Sequence, residues 1–209
     1  MQQFTRENFH ALCDDLAAKD KHLKQILSED GYPPFWARPN SFETLVLTIL
    51  EQQVSLASAY AAYKRLKERL SNITPESLVE LTDEELRSCS FTRQKAVYVR
   101  ELANAILTKR IDLKSFETKE NETVRAELIA LKGIGNWTID IYLLHALQRT
   151  DVFPIGDLAL VNAVRMLKEK SLTKEEILKL SNKWKPCRSI ATMLFWHYYI
   201  KKKNIKLLH

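Results

Sequence analysis

Apolar residues recur at three- and four-residue steps along almost the whole chain, the spacing that gathers one face of an α-helix. No segment alternates regularly enough to claim a strand. The pattern predicts helices near 5–18, 21–29, 41–53, 55–71, 75–81, 83–89, 93–109, 120–131, 136–148, 157–169, 173–183 and 187–201. Helix starts are marked by Thr82 with Glu85 and by Thr173 with Glu176, the capping-box spacing, and by Thr74 before Pro75. The four glycines, Gly31, Gly133, Gly135 and Gly156, all fall in the predicted turns. ITPESLVEL, LTDEELRSC and LTKEEILKL share helix-start chemistry but are too irregularly spaced for a solenoid. The expected class is all-α.

No low-complexity linker divides the 209 residues, so one or two small domains with a continuous core are expected. Lys and Arg exceed Asp and Glu by 32 to 26, which suits a polyanionic partner, though the charge alone does not decide it. Part of the excess sits in the terminal stretch KKKNIKLLH. The beginning, MQQFTRENFHALCDDLAAKD, lacks the basic and apolar regions of a secretory signal, and no apolar run is long enough to span a bilayer. An intracellular protein is expected, cytoplasmic or at the nucleoid if bacterial. Cys13, Cys89 and Cys187 lie far apart without a CxxC pair, and the five histidines form no HxxxH or HExxH pattern. Zinc and iron–sulfur centres are therefore disfavoured.

Two stretches carry chemistry. Leu131-Lys132-Gly133-Ile134-Gly135-Asn136-Trp137-Thr138 lies between two amphipathic helices. Its glycines permit a tight turn and a close backbone approach, Ile134 would pack beneath it, and Lys132 adds charge. The amides opening the next helix make an anion site that grips phosphate without reading a base. Taken alone, the same stretch also reads as an ordinary helix joint with a glycine C-cap. Downstream, Pro154 and Gly156 break the chain ahead of Asp157. An aspartate there caps a helix; aimed into a cleft, it can also stabilise an oxocarbenium-like transition state and position a water.

A GIG-type hairpin followed about twenty residues later by a helix-leading aspartate resembles the helix-hairpin-helix DNA glycosylase superfamily. Within it, the chain is similar to the 3-methyladenine DNA glycosylase II branch. The matching stretches are FETLVLTILEQQVSLASA (42–59), LKGIGNWTIDIYLLHAL (131–147), DVFPIGDLALVNAV (151–164) and WKPCRSIATMLFWHYY (184–199), in family order. The resemblance implies an all-α, two-lobed helical fold with the active-site cleft between the lobes and without an N-terminal β domain. The middle lobe is expected over about 42–130, with 1–41 and 131–209 forming the hairpin and catalytic lobe. It implies a glycosylase that flips alkylated purines from double-stranded DNA and hydrolyses the N-glycosidic bond, with Asp157 catalytic and Lys132–Gly135 on the DNA. Bifunctional members carry a lysine nucleophile where this chain has Trp137, which cannot form a Schiff base, so no lyase activity is expected. No cofactor is expected beyond a structural monovalent cation that hairpin backbone carbonyls could hold; the iron–sulfur cysteines of some relatives are absent.

A cationic alkylated purine is already a good leaving group and stacks on electron-rich rings. Trp137, Trp36 and Phe35 are candidates, and Trp196 matches a pocket aromatic of the family. By resemblance, the turn holding Gln52, Gln53 and Ser55 enters the minor groove, with Gln53 filling the gap left by the flipped base. A polar inter-helix turn capped by Ser55 is the plainer alternative. The competing readings are a glycosylase for oxidised, deaminated or mismatched bases and a non-catalytic helix-hairpin-helix DNA-binding protein. A monomer is expected.

Overall fold

The computed structural model describes residues 2–205. Twelve α-helices follow in order: α1 (Phe9–Lys19), α2 (Lys21–Asp30), α3 (Phe42–Glu51), α4 (Leu56–Leu70), α5 (Pro75–Val79), α6 (Asp83–Ser88), α7 (Arg93–Leu107), α8 (Asn121–Ile129), α9 (Asn136–His145), α10 (Leu158–Lys168), α11 (Lys174–Ser181) and α12 (Arg188–Lys202). Short 3-10 turns occupy Lys114–Glu117 and Asn182–Trp184. Among the described residues the only β pairing is an isolated bridge between Gln3 and Arg149. The all-α expectation therefore holds, and none of the helices is long and apolar enough to cross a membrane. Of the basic stretch 201–209, residues 206–209 lie outside the described residues.

Local chemistry sets the helix starts. Ser41, Ser55, Thr74, Thr82, Thr92 and Thr173 each accept an amide of the first turn, and Thr74, Thr82 and Thr173 do so in reciprocal capping boxes. The ends are less legible. The helix expected over 41–53 stops at Glu51, because Gln52 turns to an extended conformation and Gln53 takes φ +58.

The chain packs as two compact units, one of residues 2–37 and 143–205 (the terminal unit), the other Arg38–Tyr142 (the middle unit). In the terminal unit α12 packs against α1, α2 and α10. The core includes Phe9, Leu23, Val164, Ile190, Phe195 and the fully buried Trp184. The Trp184 indole N–H donates to Asp20 Oδ2 at 3.0 Å, and Oδ1 of the same residue accepts the His22 amide at 2.9 Å, capping α2. One aspartate thus satisfies a buried indole and starts a helix.

In the middle unit α7 packs against α3, α5 and α6, and α3 against α4. Residues 131–142, grouped from sequence with the terminal segments, pack here instead. The reason is local: Gly133 seats directly against the Tyr98 ring of α7, and its carbonyl accepts a hydrogen bond from Gln52.

Candidate functional site

The hairpin between α8 and α9 closes through the Leu131 amide on the Leu128 carbonyl (3.1 Å) and the Ile134 amide on the Leu131 carbonyl (3.2 Å). Its two glycines answer different demands. Gly133 has φ +90, and a Cβ on it would lie 2.0 Å from Cγ of Tyr98. Conformation and packing both require glycine there. Gly135 has no positive φ, and a Cβ would meet nothing within 4 Å. No internal contact excludes a side chain at Gly135. The open backbone at the start of α9 instead leaves room for a group arriving from outside, and helix N-termini favour anions. Ile134 is buried beneath the turn at 3% exposure, whereas Lys132, Gly135 and Asn136 are exposed.

The α3–α4 turn is fastened from inside the middle unit. Gln52 Nε2 donates to the Gly133 carbonyl at 2.9 Å and to Thr138 Oγ1 at 2.8 Å. Lys95 of α7 donates from Nζ to the Leu50 and Gln52 carbonyls, at 2.7 and 3.0 Å, and so satisfies the C-terminal end of α3. Burial pushes the Lys95 ammonium below its ordinary pKa. Arg38 grips Glu51 through both guanidinium nitrogens, at 2.9 and 2.6 Å. Gln53 is exposed and left-handed at φ +58, a conformation that costs a non-glycine residue about 1–2 kcal/mol. Such strain persists where surrounding bonds over-determine the turn. Ser55 is exposed and its hydroxyl accepts the Ser58 amide at 3.2 Å, as an N-cap.

In the terminal unit, Asp157 leads α10 and is half-buried. Its Oδ1 accepts the Leu160 amide at 2.8 Å and the Trp196 indole N–H at 3.0 Å. The Leu160 amide and the Trp196 indole fix the orientation of the carboxylate. Trp36 meets Trp196 edge-on, with ring centroids 6.5 Å apart. The structure thus brings together Asp157, Trp196 and Trp36 from three distant stretches of sequence.

It adds a residue that sequence reading missed. His145, the last residue of α9, stacks on Trp196 at 5.5 Å with planes 9° apart. Its Nδ1 lies 2.8 Å from the Trp36 carbonyl oxygen. A carbonyl only accepts, so Nδ1 carries the proton, and the ring is held in one orientation. No motif marks His145; only its contacts with Trp36 and Trp196 do.

The other candidates separate. Phe35 packs edge-on against Phe4 and Phe9, at 5.8 and 5.4 Å, with the Arg6 guanidinium 5.0 Å from its ring centre. That places it in the packing of the N-terminal segment. Trp137 is half-buried in the first turn of α9, in the middle unit. Gln52 faces the hairpin from within. Among the described residues no three His, Cys, Asp or Glu side chains cluster as metal ligands. The hairpin carbonyls of Leu131, Gly133 and Gly135 accept the Ile134 amide, the Gln52 side chain and the Ile139 amide in turn.

Residues 46–187, hairpin and Asp157 included, match the HhH-GPD superfamily of base excision DNA repair proteins. The chain belongs to this family. It is 30% identical over 190 residues to DNA-3-methyladenine glycosylase 1 of Schizosaccharomyces pombe, covering 87% of this chain and 83% of that protein. It is 28% identical over 172 residues to a DNA-3-methyladenine glycosylase of Bacillus subtilis, covering 76% of this chain but 57% of that longer protein. The solved structure of the Schizosaccharomyces pombe 3-methyladenine DNA glycosylase in complex with abasic DNA superposes with a TM-score of 0.83 at 29% identity. That match spans 92% of this chain and 97% of the other.

Proposed function

We propose that this protein is a monofunctional DNA glycosylase that excises alkylated purines from double-stranded DNA. The observation that carries the reading is the Asp157 carboxylate, held by the α10 amide and the Trp196 indole beside a stack of aromatic rings, in a chain of a base excision repair family. The hairpin amides and Lys132 grip phosphate, and Gln53 occupies the gap left by the flipped base. Trp196, with His145 and Trp36 against it, offers an electron-rich surface to a base made cationic by alkylation.

The chemistry needs little acid assistance. The bond between C1′ and the base nitrogen breaks, and its electron pair neutralises the positive charge of the departing base. The sugar becomes oxocarbenium-like and is stabilised by the carboxylate of Asp157. Water then adds to C1′ and yields its proton to Asp157, which passes it to solvent. Trp137 stands where bifunctional relatives carry a lysine, so the reaction ends at an abasic site. A monovalent cation held by the hairpin carbonyls of Leu131, Gly133 and Gly135, and a monomeric state, belong to the same proposal.

The test is release of free 3-methyladenine and 7-methylguanine from methylated duplex DNA. The wild type is expected to release base and Asp157→Asn is not. A folded, DNA-binding wild type that frees no alkylated base overturns the reading in favour of a binding-only protein.

A further inference from the structure

Gln52 and Gln53 are neighbours with opposite fates. Gln53 is exposed in a left-handed conformation, followed by Val54 and Leu56, which are 47% and 46% exposed despite being apolar. Gln52 turns inward, and its amide divides two donor bonds between the Gly133 carbonyl and Thr138 Oγ1. Thr138 is 2% exposed and has no access to a ligand. Lys95 holds the same turn by the Leu50 and Gln52 carbonyls. The exposed tip and the hairpin, 81 residues apart in sequence, are therefore joined by one side chain.

We infer that Gln52 is a positioning residue that ties the Gln53–Leu56 tip to the hairpin, fixing where the tip stands relative to the phosphate held at Gly135. A tip inserted into a base stack gains only if it arrives in register with the gap, and that register is set by how the backbone is gripped. The tie fixes the register before DNA binds, so no ordering of the turn remains when the tip enters. The inference rests on the DNA-binding part of the proposed function and does not need the glycosidic chemistry.

It is tested by affinities for two duplexes, one undamaged and one carrying a tetrahydrofuran abasic analogue that presents a ready-made gap. The wild type is expected to prefer the abasic duplex. In Gln52→Leu that preference falls about tenfold, as for a misplaced contact, while affinity for the undamaged duplex changes less than about twofold. Thr138→Val breaks one of the two bonds at a buried site, so it is expected to lose part of the preference without touching DNA. Gln53→Ala removes the tip, and adding Gln52→Leu to it costs nothing further, because the two act through one insertion. Parallel loss for both duplexes makes Gln52 a direct DNA contact or a folding residue and overturns the inference. It is overturned equally by an unchanged preference in Gln52→Leu and Thr138→Val, or by a wild type without abasic preference. Failure of the wild type to release alkylated bases, with the abasic preference present and lost in Gln52→Leu, counts against the glycosylase alone.

Discussion

The indole of Trp196 donates to Oδ1 of Asp157 at 3.0 Å, on the same oxygen that accepts the Leu160 amide at 2.8 Å. One carboxylate thus serves as a helix cap and as the anchor of the aromatic stack. The two roles separate by substitution. Asparagine caps helices about as well as aspartate, so Asp157→Asn is expected to melt within a few degrees of wild type while base release falls at least about 10²-fold. Trp196→Phe keeps a ring against His145 but removes the N–H donor. Its release rate is expected to drop about tenfold, the scale of one hydrogen bond to a charged group, with binding of an abasic duplex retained. Thermal melts and chromatography of freed bases measure both.

The hairpin glycines should part company in the same pair of assays. Gly133→Ala must place its Cβ 2.0 Å from the Tyr98 ring at φ +90, so a loss of more than about 2 kcal/mol in stability is expected. Gly135→Ala meets nothing within 4 Å and is expected to leave stability within about 0.5 kcal/mol. Its defect should lie in duplex affinity, because the methyl group would occupy the space of the phosphate proposed to sit at this amide. Equal stability losses for the two variants would count against this division of labour.

Stability should depend on acid through Asp20. Burial pushes its carboxyl pKa up, but the Trp184 indole, the His22 and Leu23 amides and Lys168 outweigh it and hold the group below the ordinary aspartate value. A folded value below the unfolded one means that ionised Asp20 stabilises the fold above pH about 4. That contribution is lost as pH falls through the lower, folded value. Asp20→Asn retains a cap, so its deficit relative to wild type should be present at pH 7 and shrink toward pH 3. Urea unfolding at both values checks the sign. A deficit unchanged with pH would mean that the charge of Asp20 contributes nothing.

Trp137 predicts the end point of the reaction. Without an amine at that position no Schiff base with the sugar is expected. Borohydride is expected to trap no covalent complex between the protein and alkylated DNA, and strands should break only after alkali or heat. A trapped complex would place a lysine nucleophile elsewhere in the chain.

Much of this was written locally. The helix starts at Thr74, Thr82 and Thr173 follow from three-residue capping patterns, and the all-α class follows from the period of the apolar positions. Helix ends and inter-helix joints were harder, because they depend on contacts rather than on spacing. Residue type and spacing do not distinguish Gln52 from Gln53, which only the family resemblance set apart, yet one is turned inward to the hairpin and the other left exposed. Phe35 and Trp36 are adjacent and both aromatic, yet Phe35 joins Phe4 and Phe9 while Trp36 meets Trp196 and His145.

The sequence by itself determined the helical class, the turn chemistry, the family and the position of Asp157, since each is encoded by residue type and short-range spacing. Only the tertiary structure decided which donors hold that carboxylate, that His145 joins the aromatic stack and that Gln52 braces the turn. Those relationships span 39 residues from Asp157 to Trp196, 109 from Trp36 to His145 and 81 from Gln52 to Gly133. At such separations the packing of whole helices, and no local pattern, determines which side chains meet.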